Sequence, residues 1–285
     1  MNAPLSAARS YLYVPADQPE RLDRSVDRGA DALIIDLEDS VAFAGKAAAR
    51  AAAASWLARH EQGGPQRWVR INADSAAEDL QAVACPALLG VVVPKAEPDL
   101  VAEVDTLLTE AERRLEMTPG SLLVIPLIET ARGLLLAAEL ARTPRVVRLG
   151  IGEADLAADL GVLPGPDRVE LTSLRLQVVI ASAAARIGRP IAPTSTDFRD
   201  LDAFRASGQA LLRLGFRGRT AVHPAQIPVI HEVFTPGADE VRTAAELVRR
   251  FDSAGGSVVT DEEGRMVDRA VVRGAREVLG RAQQS

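Results

Sequence analysis

The sequence predicts an α/β fold, a (β/α)₈ TIM barrel with a C-terminal helix–hairpin–helix extension. Short β-branched runs alternate with Ala- and Leu-rich helical stretches, and eight such runs can be counted. The second, fourth, fifth and sixth runs are continuously apolar, as expected for strands that are buried on both faces. This alternation implies right-handed crossovers and a parallel sheet, and eight repeats favour a closed barrel over an open sheet.

The predicted strands and helices follow one another along most of the chain. The strands are Tyr11–Val14, Ala32–Leu37, Trp68–Ile71, Val91–Pro94, Leu122–Ile128, Val146–Ile151, Pro190–Pro193 and Thr220–His223. The helices between them are Pro19–Arg28, Lys46–Arg59, Asp99–Leu115, Arg132–Ala141, Leu171–Ile187 and Leu201–Leu214. An open, doubly wound sheet is the alternative, but no G-x-G-x-x-G follows the first strand, which disfavours its dinucleotide-binding form.

The chain is predicted to divide into a catalytic barrel, residues 1–234, and a C-terminal arm, residues 235–285. The arm has the pattern of a helix at Ala238–Asp252, a short hairpin through Ser257–Thr260 and Arg265–Asp268, and a last helix. We expect this segment to act as a lid or as an arm that contacts a neighbouring subunit.

Composition argues against several classes of protein. The 285 residues are 47% apolar and 25% charged, and the net charge of −6 comes without a basic stripe, so nucleic acid is not an expected partner. The single cysteine, Cys85, excludes an internal disulfide and a cysteine-rich zinc site, and fits a reducing compartment. The opening MNAPLSAARS has no apolar signal region, and no apolar run reaches the ~18 residues of a membrane span. We therefore expect a cytoplasmic protein with no membrane partner.

Polar side chains follow the predicted strands at their carboxyl ends, where the active sites of (β/α)₈ enzymes lie. They are Asp36, Glu38, Asp39, Arg70, Lys95, Glu129, Gly152, Glu153, Asp155 and His223. Carboxylates at three ends, with Arg and Lys at two others, would converge on one cleft. Hard oxygen ligands without paired His or Cys indicate Mg²⁺ or Mn²⁺ rather than Zn²⁺.

Glu129 and Asp155 suit Mg²⁺, which takes one or two protein carboxylates and leaves its other positions to water and substrate. Glu38 and Asp39 could hold metal-bound waters. Simpler interpretations stay open, because Asp155 could cap a helix and Asp36 could be structural.

Several basic residues also have two interpretations. Lys95 could bind a ligand or could be a surface lysine, and His223 could be structural. Lys46 and Arg50 lie on one face of an Ala-rich helix. This helix could simply pack against the fold, or the two residues could also bind phosphates.

An ordered set of motifs carries a family resemblance from about Arg9 to about Leu279. It begins with Arg9-Ser10 before Leu12-x-Val14-Pro15 and continues with Asp36-Leu37-Glu38-Asp39-Ser40-Val41. The later blocks are Val69-Arg70-Ile71-Asn72, Pro94-Lys95, Ile128-Glu129-Thr130, Gly152-Glu153-Ala154-Asp155-Leu156, Gly215-Phe216-x-Gly218, Val222-His223-Pro224-x-Gln226-Ile227 and Gly264-Arg265-Met266-Val267-Asp268. The chain thus resembles citrate lyase β-subunit-like proteins of the HpcH/HpaI aldolase/citrate lyase family, of the malyl-CoA/citramalyl-CoA lyase type.

The resemblance implies a (β/α)₈ barrel, Mg²⁺, a CoA-thioester substrate and a homo-oligomer, often a trimer. It implies metal ligation by Glu129 and Asp155, and contact of Arg70 with the substrate's carboxylate or carbonyl oxygens. Glu38 and Asp39 match acidic residues near the metal waters, and Asp268 matches an aspartate that reaches a neighbouring subunit's active site. Positions that resemble substrate or CoA contacts are Arg9, Lys46, Arg50, Lys95, Gly152 and Glu153.

The function expected on this basis is Mg²⁺-dependent cleavage of a short 3-hydroxyacyl-CoA, such as malyl-CoA or citramalyl-CoA, to acetyl-CoA and a 2-keto acid. Three alternatives remain: a malyl-CoA thioesterase, the β subunit of a citrate lyase that acts on an acyl-carrier protein, and a non-catalytic CoA-binding scaffold. One segment departs from the family pattern. Many relatives have an acidic Asp-Gly-type motif after the seventh strand, where this chain has Ala192-Pro193-Thr194-Ser195-Thr196-Asp197. Asp197 could replace the missing acid or could only cap a helix.

Overall fold

The computed structural model describes residues 8–60 and 63–283. The opening segment MNAPLSAARS was predicted to lack a signal region. Its first seven residues lie outside the described residues. The described residues form two compact units, residues 8–230 and residues 231–283, and each is described by itself. In the described ranges, every helix is too short or too polar to cross a membrane.

A seven-stranded parallel sheet forms the centre of the larger unit. Its strands are β1 (Ser10–Pro15), β2 (Ala32–Asp36), β3 (Gln66–Arg70), β4 (Gly90–Val93), β5 (Leu123–Ile128), β6 (Gly150–Ile151) and β7 (Arg219–Ala221). They are ordered β6-β5-β4-β3-β2-β1-β7, and each hydrogen-bonded pair is parallel. This α/β sheet is consistent with a TIM-like barrel.

The predicted seventh strand, Pro190–Pro193, is present only as two parallel bridges. Ile191 pairs with Gly150 of β6, and Ala192 pairs with Arg219 of β7. The two prolines explain the difference, because each lacks the backbone N–H that a strand ladder needs. The bridges nevertheless place residues 191–192 between β6 and β7, where an eighth strand of a barrel would lie.

The helices of the larger unit mostly follow strands, as the alternating pattern predicts. They are α1 (Pro19–Ser25), α2 (Lys46–Arg59), α3 (Ala76–Val83), α4 (Pro98–Arg114), α5 (Ala131–Leu135), α6 (Ala137–Leu140), α7 (Glu153–Leu160), α8 (Thr172–Ala185), α9 (Leu201–Leu214) and α10 (Gln226–Phe234), which runs past the boundary between the units. The predicted helix Arg132–Ala141 is two short helices that meet at Leu136. Helices α3, α7 and α10 were not predicted, since each is a single short segment of eight or nine residues.

Small aliphatic side chains and two aromatic rings fill the inside of the sheet. The buried cluster comprises Ala8, Tyr11, Ala32, Ile34, Trp68, Val92, Ile125, Leu127 and Ile191. Gly90 faces the Trp68 ring, and a Cβ at this glycine would lie 2.7 Å from that ring and 2.2 Å from the carbonyl oxygen of Leu123. Gly90 thus leaves the room that the Trp68 ring needs.

A buried arginine joins several backbone segments at the amino ends of the strands. Arg148 donates to the carbonyl oxygens of Ala8 at 2.7 Å, Arg189 at 2.7 Å and Arg217 at 3.0 Å, and to the Tyr11 hydroxyl at 3.0 Å. One guanidinium group therefore satisfies backbone carbonyls from three separate parts of the chain.

The smaller unit consists of two helices and a short antiparallel pair. Helix α11 spans Ala238–Ser253, β8 (Val259–Thr260) pairs with β9 (Met266–Val267), and α12 spans Arg269–Gln283. Phe251, Val267 and Val272 form its buried cluster. The expected division into a catalytic barrel ending at residue 234 and an arm that contacts a neighbouring subunit stays a prediction.

Candidate active site

The carboxyl ends of the parallel strands surround a cavity of about 480 Å³. Most of the polar residues predicted from strand ends line it, together with residues of the 192–197 segment. Its polar lining includes Tyr13, Asp36, Asp39, Arg70, Glu129, Gly152, Glu153, Asp155, Arg168, Thr194 and Thr196. The carboxyl ends of the strands therefore bring distant parts of the sequence to one cleft, as expected for this class of sheet.

Asp36 and Arg70 form the best-defined pair in the cleft. Arg70 donates from Nε and Nη2 to the two carboxylate oxygens of Asp36, each at 2.7 Å. Burial raises the pKa of Asp36, but the hydrogen bonds and charge of Arg70 more than offset this, so the pKa lies below its ordinary value. Asp36 also accepts the backbone N–H groups of Glu38 and Ser40. Asp36 thus holds the arginine in place and orders the loop after β2, which is the structural role that the sequence left open.

The remaining face of Arg70 points toward two more acids and an aromatic ring. Its Nη1 lies 2.7 Å from Glu38 Oε2 and 3.6 Å from Asp39 Oδ2. The guanidinium carbon lies 4.9 Å from the centre of the Tyr13 ring, a cation–π distance. Burial strongly raises the pKa of Tyr13, so its hydroxyl stays protonated. Sequence reasoning missed Tyr13, because an aromatic residue in a strand is usually a core residue.

Lys95 links two of the predicted acids through different atoms. Its backbone N–H donates to Glu129 Oε2 at 2.8 Å, and its Nζ donates to Glu38 Oε1 at 2.7 Å. The residue has φ 46°, a left-handed conformation that is strained in a residue with a side chain. The hydrogen bond that Lys95 donates to Glu38 raises the pKa of Lys95 above its ordinary value. Lys95 is therefore part of the site rather than an unrelated surface lysine.

Glu129 is buried at the end of β5, and its carboxylate is close to other acids. Its pKa is raised to about 7, mainly by burial and also by the charges of Glu38 and Asp155, against the hydrogen bond from the Lys95 amide and the charge of Arg70. Gly152 makes room for this carboxylate, since a Cβ at residue 152 would lie 2.2 Å from Glu129 Oε1. A cation placed against Glu129 would relieve both the burial and the repulsion.

Asp155 lies in the first turn of α7 and is exposed to the cavity. The N-cap of α7 is Gly152, so the capping interpretation of Asp155 does not hold in this structure. Within residues 8–60 and 63–283, no three His, Cys, Asp or Glu side chains stand close enough to hold a metal by themselves. The donors Glu129 and Asp155 nevertheless fit Mg²⁺, because this ion commonly takes one or two carboxylates and completes its shell with water and substrate oxygens.

Glu153 lines the cavity, but its carboxylate is already engaged. It accepts hydrogen bonds from Arg175 Nε at 2.6 Å and Arg175 Nη2 at 2.8 Å, and Arg168 Nη1 lies 3.4 Å away. All of its described contacts are to arginines, so the structure gives Glu153 the role of tying α7 to α8. The two arginines were missed in the sequence, because they lie in helical or loop segments far from the strand ends.

The predicted phosphate contacts on α2 have protein partners near the site. Lys46 Nζ donates to the carbonyl oxygens of Leu37 at 2.7 Å and Glu38 at 2.6 Å, and so supports the loop that carries the acids. Arg50 forms an ion pair with Asp79, which is fully buried. A role in binding CoA phosphates stays a prediction for both residues.

Arg9 is not brought to the site. It immediately precedes β1 and forms an ion pair with Asp31, which immediately precedes β2, at 2.9 Å. Both residues therefore lie at the amino ends of the strands, opposite the cleft. Because the strands are parallel, a residue that precedes a strand cannot share the edge where the acids lie, and we leave Arg9 out of the site.

The segment that departs from the family pattern has two different parts. Thr194 and Thr196 line the cavity, whereas Asp197 is exposed and accepts the backbone N–H groups of Arg199 and Asp200. Asp197 thus caps the following turn, one of the two roles left open, and is not among the residues that line the main cavity. His223 stacks on Phe198 with ring centres 4.6 Å apart, in keeping with the structural role expected for it.

Asp268 belongs to the smaller unit, where it begins the last helix. Its carboxylate accepts the N–H groups of Ala270 at 2.8 Å and Val271 at 3.0 Å. These hydrogen bonds lower the pKa of Asp268 below its ordinary value, so the group is ionised near neutral pH. Its predicted reach into a neighbouring subunit stays a prediction.

The fold and the site together define a parallel α/β protein whose strand ends bring several acids and an arginine into one cavity. Residues 9–224 match the family HpcH/HpaI aldolase/citrate lyase. The chain belongs to this family, which confirms the resemblance seen in its motifs.

Similar proteins cover nearly the whole chain. A (3S)-malyl-CoA thioesterase of Cereibacter sphaeroides is 30% identical over 280 residues, which are 96% of this chain and 94% of that protein. CitE from Mycobacterium tuberculosis, solved in complex with magnesium, acetoacetate and coenzyme A, is 32% identical in sequence to this chain. The two structures match with a TM-score of 0.79, over 98% of this chain and 100% of that one. The citrate lyase beta subunit from M. tuberculosis complexed with oxaloacetate and magnesium is 32% identical, with a TM-score of 0.68 and coverage of 82% and 100%.

Proposed function

We propose that this chain is a Mg²⁺-dependent carbon–carbon lyase built on a (β/α)₈ barrel. Its substrate is a short 3-hydroxyacyl-CoA of the malyl-CoA or citramalyl-CoA type, which it cleaves to acetyl-CoA and a 2-keto acid. The observation that carries the proposal is the placement of Glu129 and Asp155 in one cavity with Arg70. The magnesium, keto-acid and coenzyme A complexes of the M. tuberculosis relatives support it.

Glu129 and Asp155 would hold the metal, and Mg²⁺ when bound supplies Lewis acidity to the hydroxyl and carboxylate oxygens of the substrate. Arg70 directs a fixed positive charge at the same oxygens, because Asp36 occupies its Nε and Nη2 and fixes the plane of the guanidinium group. Charge that develops on the hydroxyl oxygen during cleavage would meet this guanidinium group, for whose Nη1 atom the substrate competes with Glu38.

The cleavage breaks the bond between the hydroxyl-bearing carbon and the carbon next to the thioester. The hydroxyl proton passes to solvent, its oxygen becomes the keto oxygen, and the electron pair of the broken bond passes to the thioester enolate. The group that acts as base in the reverse direction delivers a proton to that enolate carbon, which gives acetyl-CoA. In the reverse direction a base removes a methyl proton, and we assign this role to Asp268 of a neighbouring subunit in a homo-oligomer, because its carboxylate is ionised near neutral pH and can accept a proton.

The thioesterase is the second candidate, and the similarity to the C. sphaeroides (3S)-malyl-CoA thioesterase favours it. The two reactions share a substrate and differ in the bond that breaks. Hydrolysis requires water at the thioester carbonyl, so a segment that excludes water from the cleft would favour the lyase.

The experiment that separates them follows two products at once. The purified protein is incubated with Mg²⁺ and either malyl-CoA or citramalyl-CoA, and 2-keto acid and free thiol are measured together. Keto acid without free thiol supports the lyase, whereas free thiol without keto acid supports the thioesterase. Release of neither product, with Mg²⁺ binding verified, would contradict both candidates. Glu129→Gln is the matched inactive variant, since it keeps the shape of the side chain and removes its charge.

A further inference from the structure

Two tyrosines of β1 have rings on the inner side of the sheet, but their hydroxyl groups are used differently. Side chains alternate along a strand, so Tyr11 and Tyr13 point to the same side. Tyr11 belongs to the buried cluster inside the sheet, and the ring of Tyr13 packs against that cluster. Phenylalanine would supply the same packing, so the hydroxyl group on each ring needs an explanation of its own.

The two hydroxyl groups differ in their protein partners. That of Tyr11 accepts a hydrogen bond from Nη1 of Arg148 at 3.0 Å. In the parts of the chain that the structure describes, no backbone or side-chain group forms a hydrogen bond with the hydroxyl group of Tyr13. Tyrosine hydroxyl groups away from the protein surface usually find a partner. The hydroxyl group of Tyr13 is therefore left to a group that comes from outside the protein.

The cavity of the candidate active site is the space that such a group would enter. Tyr13 is half-buried and lines this cavity. Members of the buried cluster also line it, and they are Ile34, Val92, Ile125, Leu127 and Ile191. The part of the cavity wall that this cluster forms is thus aliphatic, and Tyr13 adds one polar hydroxyl group beside it. A hydrogen bond made in such apolar surroundings is stronger than one made in water.

Tyr13 stands beside the arginine that the proposed function assigns to the substrate oxygens. The guanidinium carbon of Arg70 lies 4.9 Å from the centre of the Tyr13 ring. Asp36, Glu38 and Glu129 are near enough for their charges to act on the hydroxyl group, and none of the three accepts a hydrogen bond from it. Burial strongly raises the pKa of Tyr13, against the charge of Arg70, so the hydroxyl group keeps its proton. An oxygen atom that meets Arg70 in the cavity therefore has a second donor close by.

We propose that the Tyr13 hydroxyl group donates a hydrogen bond to the hydroxyl oxygen of the substrate, on which negative charge develops during cleavage. The inference rests on the proposed function and adds a residue that touches the reacting atoms. In the bound substrate this hydrogen bond joins two neutral groups. In the transition state its acceptor is charged, and charge-assisted hydrogen bonds are roughly twice as strong. Tyr13 therefore stabilises the transition state more than the substrate, and it keeps its own proton throughout.

The test compares Tyr13→Phe with Tyr11→Phe, because each change removes one hydroxyl group from the same side of the same strand. Release of 2-keto acid from malyl-CoA and from citramalyl-CoA is measured by steady-state kinetics, Mg²⁺ affinity by calorimetry and stability by urea titration. Tyr13→Phe should lower kcat roughly tenfold to 100-fold, the range of one charge-assisted hydrogen bond, and change KM less than about threefold. Its Mg²⁺ affinity and urea midpoint should equal those of the wild type, since the lost hydroxyl group has no protein partner. Tyr11→Phe should keep the wild-type kcat and unfold at lower urea, because Arg148 loses an acceptor.

Three results for Tyr13→Phe would overturn this role and leave the proposed lyase in place. A wild-type kcat would show that the hydroxyl group does not meet the reacting oxygen. A higher KM at the wild-type kcat would place it on a group whose charge stays constant, such as the substrate carboxylate. Weaker Mg²⁺ binding, with kcat restored at higher Mg²⁺, would assign it to the metal site. If instead the wild type binds Mg²⁺ but releases no 2-keto acid from either thioester, the proposed lyase and this role of Tyr13 are both wrong.

Discussion

Gly152→Ala should remove activity while leaving the fold intact, because it moves one carboxylate. A Cβ at this position would lie 2.2 Å from Glu129 Oε1, 2.6 Å from its Cγ and 2.8 Å from its Cδ, whereas ordinary contact begins at 3.4 Å. The backbone of residue 152 is hydrogen-bonded to Ile128, so the side chain of Glu129 must yield, by about 1 Å. A displacement of this size commonly costs about 100-fold in rate.

The assay measures Mg²⁺ affinity by calorimetry and release of 2-keto acid by steady-state kinetics, with thermal unfolding as the check on folding. We expect weaker Mg²⁺ binding and about 100-fold lower kcat/KM. Gly237→Ala is the control for a glycine-to-alanine change, since no atom lies within 4 Å of its added Cβ. Wild-type Mg²⁺ affinity and activity in Gly152→Ala would refute the assignment of Glu129 as a metal ligand held in place by this glycine.

Three further predictions test the surroundings of the site. Arg148→Leu should lower the free energy of unfolding by about 3 kcal/mol in a urea titration, because it leaves three backbone carbonyls without their hydrogen-bond donor. An unchanged midpoint would contradict this prediction. Burial raises the pKa of Glu112, but Arg145 holds it below its ordinary value, so Glu112→Gln should cost about 2 kcal/mol at pH 7 and progressively less below pH 4.5. A cost that does not change with pH would exclude this account. Lys95→Gly should keep Mg²⁺ affinity, since the amide of residue 95 still donates to Glu129, but lose roughly tenfold in kcat. An unchanged kcat would show that the side-chain amine of Lys95 has no role in the reaction.

The strands could be predicted because buried parallel strands are continuous apolar runs. The runs around Ile34, Val92 and Ile125 correspond closely to β2, β4 and β5. The prediction failed at Pro190–Pro193, where prolines interrupt the ladder, and at Val146–Ile151, where only Gly150–Ile151 is a strand. Hydropathy alone does not report whether the backbone N–H groups of an apolar run find partners.

The site could be predicted only as far as topology determines it. Parallel strands put Glu129 and Asp155 at one edge, and the same rule places Arg9, which precedes β1, at the other. The motif resemblance suggested a CoA contact for Arg9 despite this rule, and that contact stays a prediction. Partners across the fold, such as Asp36 for Arg70, have no signature in the local sequence, because the two residues are 34 positions apart.

The departure at residues 192–197 now has a physical consequence that can be tested. After the seventh predicted strand this chain has Pro193, and Arg219 donates to the backbone carbonyl of this proline rather than to a carboxylate. Thr194 lines the same cavity as the buried Arg219, so Thr194→Asp should place a carboxylate near this arginine and stabilise the fold. A urea titration at pH 7 should show a higher midpoint for Thr194→Asp than for the control Thr194→Asn, which has the same shape without the charge. An equal midpoint for the two variants would show that the backbone acceptors of Arg219 already satisfy its charge.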